Sequence, residues 1–234
     1  ISGRYENSII QLINYLSKKN NHFFIDIGAN IGLTSIQCGN NFKEIYLFEP
    51  NTFCVPILKI NLKINIKKKY KIYEYALGEK NEKKKLYIPI KNWGGAFIKK
   101  GNFYKTDILS QKDGFKTFDT KNYIKQTIII KRTTTIFSKL FKKLIKEKKL
   151  NGVIKIDVEG AEATVLAGAV GVLTRDWPPV ICEAADDHYI AAIDAVLVPL
   201  GYVRAEENLA WTPTYLWSIP ATPLLRLEAD TPVL

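Results

Sequence analysis

The sequence predicts an α/β fold in which a mostly parallel β-sheet is covered by helices on both faces. Short apolar runs, such as residues 23–27 and 180–183, are typical of strands that are buried on both sides. Segments with helical spacing of apolar residues separate these runs. The chain has 234 residues, of which 47% are hydrophobic, so one large domain can bury a full core.

The N-terminal part of the chain predicts strands and helices in alternation. The first strand ends at Gly28, the second ends at Glu49-Pro50, and Gly39-Asn40 stops the helix between them. The predicted elements are a helix over 9–19, a strand over 23–27, a helix over 31–38, a strand over 45–48, a helix over 53–66 and a strand over 72–76.

The pattern continues to the C-terminal part, where two final strands are predicted to pair antiparallel. The predicted elements are strands over 84–91 and 127–132, a helix over 136–148, a strand over 153–158, a helix over 161–173, a strand over 180–183, a helix over 188–200, and strands over 202–205 and 215–219. Residues 1–22 are expected to form a helical lead-in, residues 23–220 the domain, and the proline-containing residues 221–234 an irregular tail.

The formal net charge of +11 raises the question of a nucleic acid or an anionic membrane surface as partner. The charge is uneven, because the last lysine is Lys155 and acids outnumber arginines after Gly160. A basic face, a domain boundary near Gly160, and a compositional bias or a join of two sources all fit this pattern. We favour the last, because the lysines are scattered over predicted helices, strands and loops and the fold pattern continues through the change.

Other compositional features restrict the class of protein. The longest apolar stretch, Val165–Leu173, is far shorter than the roughly 20 residues of a membrane-spanning helix, so no span is predicted. Three widely spaced cysteines fit neither a disulfide framework nor a zinc site, which favours a reducing, cytoplasmic location. The start at Ile1 and the absence of methionine indicate a fragment or a processed form.

The loop after the first strand is the first candidate binding element. Its glycines, Gly28 and Gly32, allow a sharp turn and a close approach of backbone to a ligand. The spacing is Gly-x-x-x-Gly, whereas dinucleotide-binding loops have Gly-x-Gly-x-x-Gly, and Asn30 takes the place of the glycine that faces a diphosphate. Asp26 at the head of the loop repels an anion and attracts a cation.

Glu49 closes the second strand, at the distance from the loop where a carboxylate reaches a ribose diol. Hydroxyl groups that donate to an ionised carboxylate form charge-assisted hydrogen bonds. The glycine loop, Asp26 and Glu49 together predict a ligand that has a ribose, lies close to the backbone and carries a positive charge. S-adenosylmethionine supplies all three, whereas NAD brings a diphosphate, and we therefore expect S-adenosylmethionine as the cofactor.

Four segments, in order along the chain, resemble the FkbM-type methyltransferases. They are Asp26-Ile-Gly-Ala-Asn-Ile-Gly32, Phe48-Glu49-Pro50, Ala76-Leu77-Gly78 and Ile154-Lys-Ile-Asp-Val-Glu-Gly-Ala-Glu162. The resemblance runs from about Phe23 to Ala184 and implies a class I methyltransferase fold, a Rossmann-like three-layer sandwich with a seven-stranded sheet and an antiparallel last strand. It also implies O-methylation of a sugar, glycan or secondary metabolite.

The resemblance implies roles for individual residues. Glu49 would accept the ribose hydroxyls, and the loop would line the methionine and ribose portion of the cofactor. The chain departs from the family at Thr135–Phe137, where Thr-Leu-Asp is frequent, and in its short N-terminal lead-in. Residues 92–126, with Trp93, Phe97, Phe103 and Tyr104, are expected to be either an acceptor-side insertion that forms a lid or wall, or a loop with a small core of its own. The cofactor-binding set implied by the resemblance is Asp26, Gly28, Ala29, Asn30, Gly32, Glu49, Pro50, Ala76, Leu77 and Asp157.

Methyl transfer to oxygen needs a base that removes the hydroxyl proton. The candidates lie at the carboxyl ends of two later strands, where ligands bind in such sheets. Glu162 is instead expected to stabilise the start of its helix. Asp157 with Glu159 or Asp186 would be an alternative Mg²⁺ site, which we do not favour. The candidate catalytic residues are Asp157, Glu159, Glu183 and His188.

Three alternatives remain at the level of the sequence. A nucleic-acid methyltransferase is disfavoured, because Asp157–Gly160 stands where amino-methylating enzymes usually have an Asn/Asp-Pro-Pro-aromatic run. A nicotinamide-dependent oxidoreductase is disfavoured by the loop spacing. An inactive member that only binds the cofactor is the third. A small molecule or a glycan is thus the expected acceptor, and the oligomeric state is left open.

Overall fold

A computed structural model describes residues 6–98, 119–146, 151–176, 178–210 and 212–220. The predicted tail over 221–234, and Phe103 and Tyr104 of the predicted insertion, lie outside the described residues. The strands in chain order are β1 (Phe23–Ile27), β2 (Glu44–Phe48), β3 (Lys69–Tyr73), β4 (Ala76–Gly78), β5 (Glu82–Pro89), β6 (Phe97–Ile98), β7 (Tyr123–Arg132), β8 (Gly152–Ile156), β9 (Val180–Glu183), β10 (Val203–Arg204) and β11 (Thr214–Ser218). The α-helices are α1 (Asn7–Ser17), α2 (Leu33–Cys38), α3 (Cys54–Asn65), α4 (Thr133–Lys146), α5 (Glu162–Asp176) and α6 (Asp187–Leu197).

Seven strands form the main sheet, in the order β10-β11-β9-β8-β1-β2-β3. The neighbours β3, β2, β1, β8 and β9 pair in parallel, whereas β11 pairs antiparallel with both β9 and β10. The predicted sheet and its antiparallel last strand are therefore confirmed. Strands from both sides of Gly160 lie in this one sheet, so the change in composition does not separate two sheets.

Helices cover both faces of the main sheet and create two cores. Strand β1 shows how its alternating side chains serve both of them. Phe23 packs with Phe141 of α4 on one face, whereas Phe24 stacks on Phe42 on the other face. Asp26 alternates with Ile25 and Ile27 and therefore lies on the Phe24 side of the sheet. The three-layer architecture is confirmed by these two cores.

A second, four-stranded sheet in the order β4-β7-β5-β6 packs beside the main sheet. Strands β5 and β7 are the strands predicted over 84–91 and 127–132, and they pair antiparallel. The expectation of a main-sheet strand over 72–76 is wrong at its end, because β3 stops at Tyr73 and Ala76 begins β4 of the second sheet. Edge strand β3 alternates lysines with half-buried residues, so its apolar signal is weak.

Smaller differences concern element ends and the predicted insertion. Residues 92–98 contain a 3₁₀ turn, Trp93–Gly95, and strand β6, while Tyr123 begins β7. The described part of residues 92–126 thus contributes to the second sheet. The three cysteines are free and buried. Within the described residues, no helix has both the length and the apolar character needed to cross a membrane.

Candidate active site

The loop after β1 turns sharply because a neighbouring loop lies against it. Gly28 has φ 81°, and a Cβ at this position would lie 1.8 Å from the carbonyl oxygen of Asp157. Only glycine fits such a close approach at a positive φ. The N–H groups of Gly28 and Ala29 donate to the Phe48 carbonyl at 2.9 and 3.1 Å, which ties the loop to the end of β2.

Two further residues shape the same loop. Asn30 has φ 50°, a left-handed conformation that asparagine tolerates better than most residues. Gly32 has φ 85° and immediately precedes α2. The Asn30 side chain accepts from the Cys54 thiol at 3.2 Å, so the loop is also anchored to α3.

A pocket, called here the main pocket, opens beside the glycine loop at the carboxyl ends of the strands. Asp26 lies beneath the loop and does not line this pocket. Its carboxylate is buried, and Oδ2 accepts a hydrogen bond from the Ser35 hydroxyl at 2.6 Å. Within the described residues, Oδ1 has no hydrogen-bond partner. Burial raises the pKa of Asp26, and the Lys155 ammonium and the Ser35 hydroxyl oppose this rise. The Lys155 ammonium thus favours the ionised form of Asp26 that burial disfavours.

Glu49 presents a buried carboxylate to the pocket. Its Oε2 accepts from the Asn30 N–H at 2.7 Å and its Oε1 from the Asn51 N–H at 2.8 Å. Burial raises the pKa of Glu49 from 4.5 to about 7, although both N–H groups act in the opposite direction. Each carboxylate oxygen keeps a lone pair for one more donor, so the group suits two adjacent hydroxyls.

The main pocket has a volume of about 310 Å³, within the usual range for small-molecule sites. It collects most of the predicted site residues at the carboxyl ends of the parallel strands. Ala29 lies on the wall of a second pocket, whereas Gly32 and His188 line neither of these two pockets. The predicted residues that line the main pocket are Gly28, Asn30, Glu49, Pro50, Ala76, Leu77, Asp157, Glu159 and Glu183.

Three acids gather at one end of the main pocket. The carboxylate oxygens of Asp157, Glu159 and Glu183 lie within 4.8 Å of one another. Glu159 has φ 51° and Gly160 has φ 93°, so the loop that carries Glu159 is tightly bent. Carboxylates so close together can accept a proton or hold a hard cation such as Mg²⁺. All three were candidate catalytic residues in the sequence, and the structure brings them together.

Glu162 shapes this loop from behind. It begins α5, and its buried Oε1 accepts from the N–H groups of Val158 and Gly160 at 2.9 and 3.1 Å. Burial raises the pKa of Glu162, and these hydrogen bonds oppose the rise. Its role is therefore to hold the bent loop in place at the start of the helix.

Lys155 was not predicted as a site residue. It is buried in β8, and its ammonium lies 3.0 Å from Oδ2 of Asp157. Its register partner in β1 is Asp26, so Lys155 interacts with two carboxylates, one across the strands and one two residues further along the chain. Burial lowers the pKa of Lys155, but attraction to the carboxylates raises it above its ordinary value. The sequence did contain one indication of its importance, because Lys155 is a lysine inside an otherwise apolar predicted strand.

His188 and Asp186 lie away from the acidic cluster. The imidazole is exposed on the first turn of α6, with its ring edge against Tyr189. Asp186 caps this helix by accepting from the N–H groups of His188 and Tyr189 at 2.9 and 3.2 Å. The alternative of Asp186 as a metal ligand beside Asp157 has no support in this arrangement.

The second sheet and the turn over Trp93–Gly95 cover the pocket. Leu86, Ile98 and Ile128 contribute apolar surface from the second sheet. The Asn51 amide donates to the Trp93 carbonyl at 3.0 Å, which fixes this cover to the end of β2. Sequence reasoning missed these lining residues because they are ordinary apolar side chains far along the chain. Phe97, expected as a wall residue, is buried among Tyr87 and Tyr123.

The sequence was compared with models of known protein families. Residues 26–204 match the methyltransferase FkbM domain. The chain belongs to this family. The match contains the glycine loop, Glu49 and the acidic cluster, and it confirms the methyltransferase expected from the sequence.

Individual relatives agree with this family. The chain is 26% identical over 215 residues to Methyltransferase sdnD of Sordaria araneosa, covering 86% of this chain and 81% of that protein. The crystal structure of Methyltransferase FkbM from Methylobacillus flagellatus shares the fold, with 15% identity and a TM-score of 0.50 over 85% of this chain. This chain spans only 44% of that one. A lower-scoring match is a tRNA (uracil-54, C5)-methyltransferase of Pyrococcus abyssi, at 11% identity and TM-score 0.40 over 91% of this chain and 36% of that one.

Proposed function

We propose that this methyltransferase transfers a methyl group from S-adenosylmethionine to a hydroxyl of a sugar, glycan or secondary metabolite. One observation carries the proposal: a single pocket is lined by a carboxylate suited to a diol, which follows β2, and by a cluster of three carboxylates, which follow β8 or end β9, and the sheet order β9-β8-β1-β2 separates β2 from these two strands. S-adenosylmethionine supplies an electrophilic methyl group on a sulfonium. The residues present fit this cofactor, as the following contacts indicate.

The cofactor end is formed by Glu49 and the glycine loop. Glu49 is held by two backbone N–H groups and faces the pocket, so it can accept the two ribose hydroxyls without reorientation. Gly28 lets the glycine loop pack against Asp157, and its backbone lines the pocket where it can contact the cofactor. Pro50, Ala76 and Leu77 add apolar surface for a base ring. In its ionised form, which the Lys155 ammonium stabilises, Asp26 under the loop favours a cationic ligand.

The acceptor end is formed by Asp157, Glu159 and Glu183. The ammonium of Lys155 pairs with Asp157 and favours its charged form. We assign the acceptor contacts to Glu159 and Glu183, with one of them as the base. This base takes the hydroxyl proton while the oxygen lone pair forms the bond to carbon and the sulfur–carbon bond breaks. Alignment contributes about 7–11 kcal/mol and a positioned base about 10²–10⁴-fold.

Glu49→Ala tests the cofactor assignment. We expect loss of measurable S-adenosylhomocysteine binding in isothermal titration, because the ribose loses its acceptor. Glu74→Gln is the matched control, since Glu74 is a half-exposed carboxylate that pairs with Lys59 at 2.6 Å outside the pocket, and it should bind like the wild type. Wild-type affinity in Glu49→Ala would refute the assignment. Asp26→Ala is expected to weaken binding as well.

Activity assays separate the proposed acceptor from the alternatives. With radiolabelled S-adenosylmethionine, methyl groups should appear on hydroxyl-bearing small molecules or glycans rather than on RNA or DNA. Transfer to nucleic acid, with steep salt dependence, would replace the proposal by a nucleic-acid methyltransferase. A thermal shift with S-adenosylhomocysteine, but transfer to none of these classes, would indicate a member that binds the cofactor only.

A further inference from the structure

Helix α3 carries apolar side chains on two opposite faces. Val55, Leu58 and Leu62 are buried against the domain. The opposite face carries a second apolar row at spacings of four, three and four residues, which places its members in one line along the helix. Its two most exposed members, Ile60 and Ile64, are 58% and 75% exposed. The row consists of Phe53, Ile57, Ile60 and Ile64.

The row continues onto the cover of the active site. The rings of Phe53 and Trp93 lie 5.1 Å apart, and Trp93 and Ile90 are themselves exposed. Ile57, Ile90 and Trp93 share the wall of a second pocket of about 490 Å³ with the glycine loop. We call the set Phe53, Ile57, Ile60, Ile64, Ile90 and Trp93 the isoleucine face. Contiguous exposed apolar surface of this kind usually marks an interaction site.

Positive charge surrounds the isoleucine face. Residues 50–73 contain six lysines and no aspartate or glutamate. All six are exposed, and Lys59 and Lys63 lie on α3 itself beside the apolar row. Lys91, next to Ile90, is exposed too. Lys59 pairs with Glu74 and Lys69 with Glu44, so the excess positive charge of this segment lies on its other four lysines.

We propose that the isoleucine face seats the protein on the surface of a membrane that contains anionic lipids. An apolar row beside lysines is the pattern of a helix that lies in the membrane interface, where its apolar side enters the acyl boundary and its lysines meet the headgroups. Trp93 at the edge suits the same interface. The proposal adds a location to the proposed methyl transfer and does not depend on the acceptor.

Other occupants fit this surface less well. A second copy packed across α3 would place the same lysines against each other, which disfavours a symmetric contact. Nucleic acid would match the lysines but would leave the isoleucines without an apolar partner. A bilayer with anionic headgroups satisfies both features at once.

Vesicle co-sedimentation of the full chain tests the proposal. We expect binding to vesicles of phosphatidylcholine with phosphatidylglycerol, weaker binding to phosphatidylcholine alone, and a decrease with salt. Ile60→Gln with Ile64→Gln should weaken binding at least about tenfold, because the most exposed apolar side chains are lost. Ile129→Gln is the matched control: Ile129 is 50% exposed on the second sheet and pairs in register with Lys83. It should bind like the wild type.

A second variant covers the charge. Lys63→Gln, Lys67→Gln and Lys68→Gln together should reduce binding to anionic vesicles and leave binding to neutral vesicles unchanged. Absence of vesicle binding at low salt, or equal binding by the isoleucine variant and the wild type, would overturn the proposal. So would self-association in sedimentation velocity that the isoleucine variant abolishes without affecting vesicle binding. Unchanged melting temperatures would show that the variants fold.

Discussion

The two ends of the main pocket are built in different ways. The cofactor end comes from two neighbouring strand ends, and its groups are mostly backbone: the glycine loop, and two N–H groups that hold Glu49. The acceptor end takes side chains from β9 and from the bent loop after β8, under a cover from the second sheet. The first end thus depends on one side chain, Glu49, that backbone N–H groups hold in place, whereas the second end depends on a cluster of side chains.

Removal of the base should produce the largest effect on turnover. Among Glu159→Gln and Glu183→Gln, one should lower kcat by about 10²–10⁴-fold, because the hydroxyl proton then has no acceptor. Cofactor affinity by titration should stay near the wild-type value, since neither side chain belongs to the cofactor end.

His188→Gln serves as the comparison for these variants. Its imidazole is exposed and outside the main pocket lining, so kcat should change little. A large fall in kcat for His188→Gln, with near wild-type rates for both glutamate variants, would contradict our assignment of the acceptor end.

Lys155→Met should produce the largest effect on stability. It leaves the carboxylates of Asp26 and Asp157 without their buried cation, and breaking such a pair costs about 3–5 kcal/mol. Urea denaturation measures the loss. Lys84→Met removes the more exposed partner of Glu82 and should change stability by less than about 1 kcal/mol. Similar losses for both variants would show that Lys155 stabilises the fold no more than an exposed ion pair does.

Gly28→Ala should harm the cofactor end and the fold together. A Cβ would lie 1.8 Å from the Asp157 carbonyl at a φ of 81°, so the loop must move. We expect a loss of about 2–4 kcal/mol and of S-adenosylhomocysteine binding. At Gly171 in α5, a Cβ would meet nothing within 4 Å, so Gly171→Ala should stabilise by up to about 1 kcal/mol. Equal stability of both variants would show that the close approach at Gly28 has no importance.

The same contrast explains what could be predicted from the sequence. The glycine loop and Glu49 were predictable because a buried strand followed by glycine, and a carboxylate after the next strand, have one geometric consequence in a parallel sheet. The acidic cluster was predictable from its strand ends. His188 also follows a strand, but Asp186 caps the helix there and the imidazole faces solvent. The end of a predicted strand indicates which residues lie at the edge of the sheet. It does not indicate in which direction a side chain several residues later points.

The second sheet and Lys155 were harder to foresee for a physical reason. Strands β4 to β7 pair across up to 54 positions of sequence, and which sheet a short strand joins depends on distant partners. From the sequence alone, Lys155 cannot be distinguished from a surface lysine. Only the register of β8 with β1 shows that it lies beside Asp26. The isoleucine face was masked in the same way, because only the packing of α3 shows which of its two apolar faces is buried.

The smallest expected effect is the pH dependence of the cofactor end. Burial raises the pKa of Glu49 to about 7, and the ribose hydroxyls need the ionised carboxylate. S-adenosylhomocysteine affinity should therefore be about tenfold weaker at pH 6 than at pH 8.

Between pH 4.5 and 7 the folded protein binds more protons than the unfolded chain at this position, so Glu49 makes the empty protein less stable as pH rises. Burial also raises the pKa values of Asp26 and Glu162, so these groups change the stability with pH in the same direction. Glu49→Gln is therefore the reference protein. Its binding of S-adenosylhomocysteine should be weak and should be the same at pH 6 and pH 8 in titrations. An equal pH dependence in both proteins would place the titrating group elsewhere, and the difference between the two ends of the pocket would then not rest on Glu49.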